Sequence, residues 1–240
     1  MDQLKVASVC RMGAYSAWLA GFCYVLIVCC AFLSPPSIAS YVASEQYFLD
    51  FKSYRPIFVG LKWLMLVANI AMVGVVCAFY QLRRRESHGL MSMMSALAIV
   101  GFGVGMYQSV QDLTVVPFLA DQYAQASEML RQVIIALGVA NPAIYIVSMG
   151  LPGLWFIAVS IRAWSNPIIP RYLVVLGFMW GCGNMLTVIA HSLIIIPLIY
   201  LVAFGAVIMA PIWSIGEGLF LWKMSKKALS ESGPELDQIH

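Results

Sequence analysis

The chain has 240 residues, 62% of them hydrophobic and only 10% charged, with a formal net charge of +3. A soluble domain carries about 25% charged residues, so this composition excludes a water-facing globule, and no stretch between the apolar runs is long enough to build one. No basic run interleaved with aromatics is present, which leaves nucleic acid out as an expected partner.

Taken in chain order, the apolar runs exceed the roughly 18 residues that mark a membrane-spanning helix. The first, 13–33, follows Lys5 and Arg11 and ends at Ser34-Pro35-Pro36-Ser37, since proline cannot continue the helical ladder. It is longer than the 7–15 residues of a signal-peptide core, so it reads as an uncleaved span. The stretch 38–51, with spaced Tyr41, Tyr47, Phe48 and Phe51, fits a short helix on the membrane surface. Pro56 then opens the second span, 57–80, which stops at Arg83-Arg84-Arg85.

The third span is 90–110, and Gln111, Asp112, Pro117 and Asp121 mark the loop after it. Residues 120–138 read as a helix that starts polar and becomes apolar. Asn141-Pro142 interrupts it, so the fourth span is 142–161, or begins near Val133 and kinks at Pro142. A turn rich in Asn and Pro leads to the fifth span, 172–191, and a tight connection to the sixth, 198–222. The spans form one transmembrane domain, 1–229, followed by a polar tail, 230–240, expected to be disordered. The six cysteines lack CxxC spacing and read as buried, reduced hydrophobes.

Charge sets the expected orientation. With the N-terminus in the cytoplasm, Lys5, Arg11, Arg83, Arg84, Arg85, Arg162, Arg171, Lys223, Lys226 and Lys227 lie inside, and Lys52, Arg55, Lys62 and Arg131 outside. Ten against four satisfies the positive-inside rule, with both termini cytoplasmic.

Ionisable groups within a span are costly and mark candidate sites. Glu217 lies about 8 Å inside the sixth span, at the level of Arg171 and Arg162. It reads as an ion-pair anchor, or as a proton or cation relay. Lys62, near the outer end of the second span, can snorkel towards Asp112 at the end of the third. Asn69, Gln108, Asn184, Ser148 and Thr187 are uncharged candidates to line a cavity or to bond a neighbouring helix, Asn69 near mid-membrane. His191, at the outer end of the fifth span, has no second histidine at helical spacing, so no metal or cofactor is expected. Gly101 with Gly105, and Gly177 with Gly181, have the spacing that lets helices approach closely. Nucleophile, zinc and phosphate-loop motifs are missing.

Arg11 with Ala20-Gly21, the stretch 155–176 (WFIAVSIRAWSNPIIPRYLVVL) and the stretch 216–223 (GEGLFLWK) resemble the DUF4386 family of bacterial multi-span proteins. The resemblance implies about six spans, and no activity comes with it. The expectation is an all-α six-span bundle in a bacterial cytoplasmic membrane. Its role is read as non-enzymatic: an accessory subunit, or a binder of a lipid or small apolar ligand. A small-solute transporter or channel along Asn69, Gln108, Asn184 and Glu217 is the first alternative. An intramembrane lipid-modifying enzyme using Asp50, Asp112, Asp121 and His191 is the second. The expected partners are membrane lipids and a membrane protein or second copy of the chain.

Overall fold

A computed structural model describes residues 3–35, 44–83, 88–138, 142–165 and 169–236. Their secondary structure is seven helices: α1 (Gln3–Leu33), α2 (Glu45–Arg83), α3 (His88–Tyr123), α4 (Glu128–Gly138), α5 (Pro142–Trp164), α6 (Arg171–Ser192) and α7 (Ile196–Leu236). All but α4 are long and apolar enough to cross a membrane. The 11 residues of α4 rise about 16 Å, half of a hydrocarbon core about 30 Å thick. Without water to bond them, backbone N–H and C=O groups must pair within their own segment, so each apolar run forms a helix.

The bundle's outer surface is apolar. Phe22, Val100, Phe178, Leu201 and Phe204 all stand exposed on it. A soluble protein does not present so large an apolar surface to water, and the chain is a multi-pass integral membrane protein.

Contacts run from α1 to α2, α3, α5, α6 and α7, and from α7 back to α1, closing a ring of six helices. Gln3 Nε2 donates to Glu231 Oε2 at 3.4 Å, so the start of α1 and the late turns of α7 share one end, the terminal end. The last turns of α1, α3 and α6 and the first turns of α2, α5 and α7 lie at the other, far end.

Small residues let the ring close. Ala7, Cys10, Gly13, Ala14, Ala17, Ala20 and Gly21 form the buried stripe of α1. A Cβ at Gly13 would come within 2.7 Å of Ala78 Cβ on α2 and 2.9 Å of Leu221 on α7, and Gly218 lies directly beneath the Trp18 ring. Between membrane helices, where water expulsion gives little, such close contact supplies the association energy.

Several elements differ from the sequence reading. Residues 36–43 lie outside the described ones, but from Glu45 onward the chain is already α2, with Pro56 inside it rather than at its start. Pro117 likewise lies within α3, not in a loop. The reason is a second core beyond the spans: Tyr47, Phe48, Phe51 and Phe58 of α2 pack with Leu119 and Tyr123 of α3 and Ile134 of α4. Phe48 stacks on Tyr123 at 5.0 Å, and Phe51 meets Phe58 edge-on at 5.1 Å across the proline.

An interior proline costs about 3 kcal/mol. Burying a Phe contributes about 1.5–3 kcal/mol, so this cluster outweighs one proline. The resulting cap extends about 25 Å beyond Lys62 along α2. Val133 belongs to α4, and α5 starts separately at Pro142. The helix α7 continues through the expected disordered tail to Leu236. Of the cysteines, Cys10 and Cys23 are buried, whereas Cys29 is exposed, on the outside of α1.

Candidate ligand cavity

In the far half of the ring, all six spanning helices line a cavity of about 250 Å³. From His191 down to Trp180 it follows α6 for about 16 Å. Phe156 and Trp180 form its floor, their rings 4.2 Å apart. Behind them Trp213 meets both rings, at 5.0 and 5.7 Å. Trp155 meets Phe156 at 5.0 Å and Phe79 at 5.7 Å. All five are buried. This aromatic block separates the cavity from the terminal half of the ring.

The lining changes with depth. At the far end is a collar. Lys62 Nζ of α2 meets Asp112 Oδ2 of α3 at 2.7 Å, the partner expected for it, with the two side chains 12% and 23% exposed. Lys62 also sits 5.3 Å from the centre of the Phe58 ring. The His191 ring stacks on Tyr145 at 5.1 Å, and its Nδ1 lies 2.9 Å from the Thr187 carbonyl oxygen. A carbonyl only accepts, so in this contact Nδ1 is the ring nitrogen that donates.

Below the collar comes a band of uncharged polar side chains: Asn69, Gln108, Ser148 and Asn184, from four different helices. Asn69 Nδ2 donates to the Met65 carbonyl at 2.9 Å. Its amide has room because Gly105 faces it; a Cβ there would lie 3.0 Å from Nδ2. Ser109 and Thr187 also line the cavity, but their hydroxyls donate to carbonyls of their own helices, Gly105 and Gly183, at 2.9 and 3.0 Å. The rest of the lining is apolar, with Ile27, Met65, Phe102, Ile199, Ala203 and Ala206 among it.

Eight of the residues singled out from the sequence therefore meet in one place: Lys62, Asn69, Gln108, Asp112, Ser148, Asn184, Thr187 and His191. Two do not. Glu217 is buried in α7, between Gly216 against Leu173 of α6 and Gly218 against Trp18 of α1. It lies about 10 Å along α7 from Ala210, the deepest α7 residue of the lining. Arg171 is exposed at the first residue of α6.

The four groups of the enzyme reading separate as well. Asp112 and His191 line the cavity, whereas Asp121 pairs with Arg55 on the surface at 3.1 Å and Asp50 accepts from Gln46 at 2.8 Å. Among the described residues no three His, Cys, Asp or Glu side chains gather as a metal site.

The glycines lie at close helix contacts. A Cβ at Gly101 would overlap Pro152 of α5. One at Gly177 would reach Ser160 Oγ and Trp213 Nε1, both at 2.9 Å. One at Gly181 would reach the Gly153 carbonyl of α5 at 2.9 Å. Sequence reasoning missed Tyr24, Phe102, Tyr145, Phe156 and Trp180 as lining residues. An aromatic residue in an apolar span reads the same whether it faces lipid, a neighbour or a cavity.

Comparison with curated proteins gives no match, and neither does comparison with solved structures. The family described as a domain of unknown function, DUF4386, matches residues 19–223, and with most of its length covered the chain belongs to that family.

Proposed function

We propose that this protein is a non-enzymatic binder of a small amphipathic ligand, held within the membrane inside the six-helix ring. The observation that carries the reading is the cavity itself. At about 250 Å³ it lies just below the usual range of ligand pockets, about 300–1,000 Å³. It suits a ring or a short chain with one polar head, and is too small for a whole phospholipid. Its apolar walls with a few convergent polar groups are the ordinary lining of such a pocket. The separation of Asp50 and Asp121 from Asp112 and His191 weighs against the lipid-modifying reading. The aromatic block between the polar band and Glu217 weighs against a continuous solute path in this conformation.

The membrane is proposed to be the bacterial cytoplasmic membrane, with both termini in the cytoplasm, on the strength of the charge distribution. The test is purification of the tagged protein from native membranes, followed by solvent extraction and mass spectrometry. A small amphiphile recovered in near-stoichiometric amount supports the reading. Recovery of a protein partner with no small molecule points instead to an accessory subunit. Solute flux in proteoliposomes that Glu217→Gln abolishes points to a transporter.

A further inference from the structure

Resting on the ligand-binding reading, we infer that the cavity takes an uncharged ligand with an amide head, an N–H donor beside a C=O acceptor, held between Asn69 and Asn184.

Side-chain amides in an apolar interior ordinarily find a protein partner. Asn184 is 5% exposed, yet its amide makes no hydrogen bond among the described residues. It is not sealed in either. The enclosed side-chain atoms without a partner include the Ser148 and Ser214 hydroxyls, but neither amide atom of Asn184. With the rest of the residue buried, the open amide faces the cavity that Asn184 lines. Its Cβ is fixed by close packing, since a Cβ on Gly153 of α5 would lie 2.9 Å from it.

Asn69 is set differently. A carbonyl only accepts, so the end of its amide that meets the Met65 carbonyl at 2.9 Å is the Nδ2 donor. The acceptor, Oδ1, is the end left without a protein partner, and it too is not enclosed. In the ring α2 and α6 stand opposite each other. Asn69 lies seven residues below Lys62, and Asn184 seven below His191, so both sit about 10 Å beneath the collar. One wall thus offers a fixed acceptor, and the facing wall an amide free to turn its donor inward. An amide head satisfies both: its N–H donates to Asn69 Oδ1 and its C=O accepts from Asn184 Nδ2.

Charge narrows the class. Among the lining residues the formal charges are Lys62 and Asp112, and they close on each other at 2.7 Å at the collar. An ion at the depth of the asparagines would be desolvated without a counter-charge, which is strongly unfavourable. The aromatic floor of Phe156 and Trp180 is left for the ligand's apolar part.

The test uses four probes of nearly one shape: benzamide, acetophenone, α-methylstyrene and benzoate. Each is titrated calorimetrically into the full-length protein in nanodiscs. The cavity-filled variant Ala206→Phe in identical nanodiscs serves as the blank for partitioning into lipid. The expected result is saturable binding of the three neutral probes and none of benzoate. Asn184→Leu, close in volume, should weaken benzamide and acetophenone several-fold, up to about tenfold, the yield of one hydrogen bond. Asn69→Leu should weaken benzamide alone by a similar factor, since acetophenone has no N–H to donate. In both variants α-methylstyrene should stay within about twofold of wild type, which also shows that the cavity is folded. A comparison within wild type needs no variant. With each affinity corrected for the probe's own transfer from water to hexadecane, benzamide should bind best, acetophenone next and α-methylstyrene least.

Benzoate binding as tightly as benzamide would overturn the inference. So would a wild-type order that is flat or reversed, or equal weakening of benzamide and acetophenone by Asn69→Leu, while the binding reading itself survived. If no neutral probe binds wild type beyond the Ala206→Phe blank, the binding reading falls and the inference with it.

Discussion

Breaking the Lys62–Asp112 pair from one side should be costly, and removing it from both sides should not. The two side chains are 12% and 23% exposed with 2.7 Å between charged atoms, so each charge has given up most of its solvation. Truncating one partner of a fully buried pair costs about 3–5 kcal/mol, mostly from the stranded charge. The residual exposure here lets some water reach the survivor, so Lys62→Met or Asp112→Leu should each cost about 2–3 kcal/mol. The double variant Lys62→Met/Asp112→Leu replaces both charges with apolar groups and should lie within about 1 kcal/mol of wild type.

The coupling energy from that cycle should accordingly be about 2 kcal/mol or more. Arg55–Asp121, at 46% and 59% exposure, is the internal control. Its coupling should stay below about 1 kcal/mol and fall with added salt. The measurement is reversible unfolding in mixed dodecyl maltoside and dodecyl sulfate micelles, followed by tryptophan fluorescence. Additive single variants at Lys62 and Asp112, or a larger coupling for the exposed pair, would refute the reasoning.

Other perturbations read different parts of the fold. Gly181→Ala drives a Cβ against the Gly153 carbonyl and the Ile157 amide of α5, so it should destabilise by about 1–3 kcal/mol. Gly103→Ala, with nothing within 4 Å of its Cβ, should be neutral or slightly stabilising in the same unfolding assay. Ile194 has a φ of 54° after α6, and the next amide closes onto the Ala190 carbonyl at 2.9 Å. This is a helix end that favours glycine, so Ile194→Gly should stabilise by about 1 kcal/mol; a loss of stability would count against that strain. Topology reporters fused after residue 240 and inserted in 36–43 should report opposite sides of the membrane, the first cytoplasmic. The reverse pattern would overturn the proposed orientation.

The spans were legible because lipid leaves a chain few options: long apolar runs can only be helices, and charges end them. The Lys62–Asp112 pair was legible for a related reason, since two opposite charges at one depth in neighbouring spans seek each other. Polar residues within spans are rare, and eight of those singled out meet in the cavity. Pro56 and Pro117 misled, because proline reports the local loss of a hydrogen bond and says nothing of the distant Leu119, Tyr123 and Ile134 that hold α2 and α3 straight through it. The ring order and the cavity were not legible either. A helix that is apolar all round has no polar face to show which side looks inward, so the aromatic floor stayed hidden among residues equally suited to lipid.

The central claim is that the six-helix ring encloses a ligand, and native mass spectrometry of the intact protein tests it most directly. Wild type released from native membranes in detergent is compared with Ala206→Phe, which places a ring inside the cavity. The account predicts a small-molecule adduct on wild type that is missing from Ala206→Phe, with the two proteins equally folded. An adduct of the same mass and occupancy on both, or none on either, would contradict it.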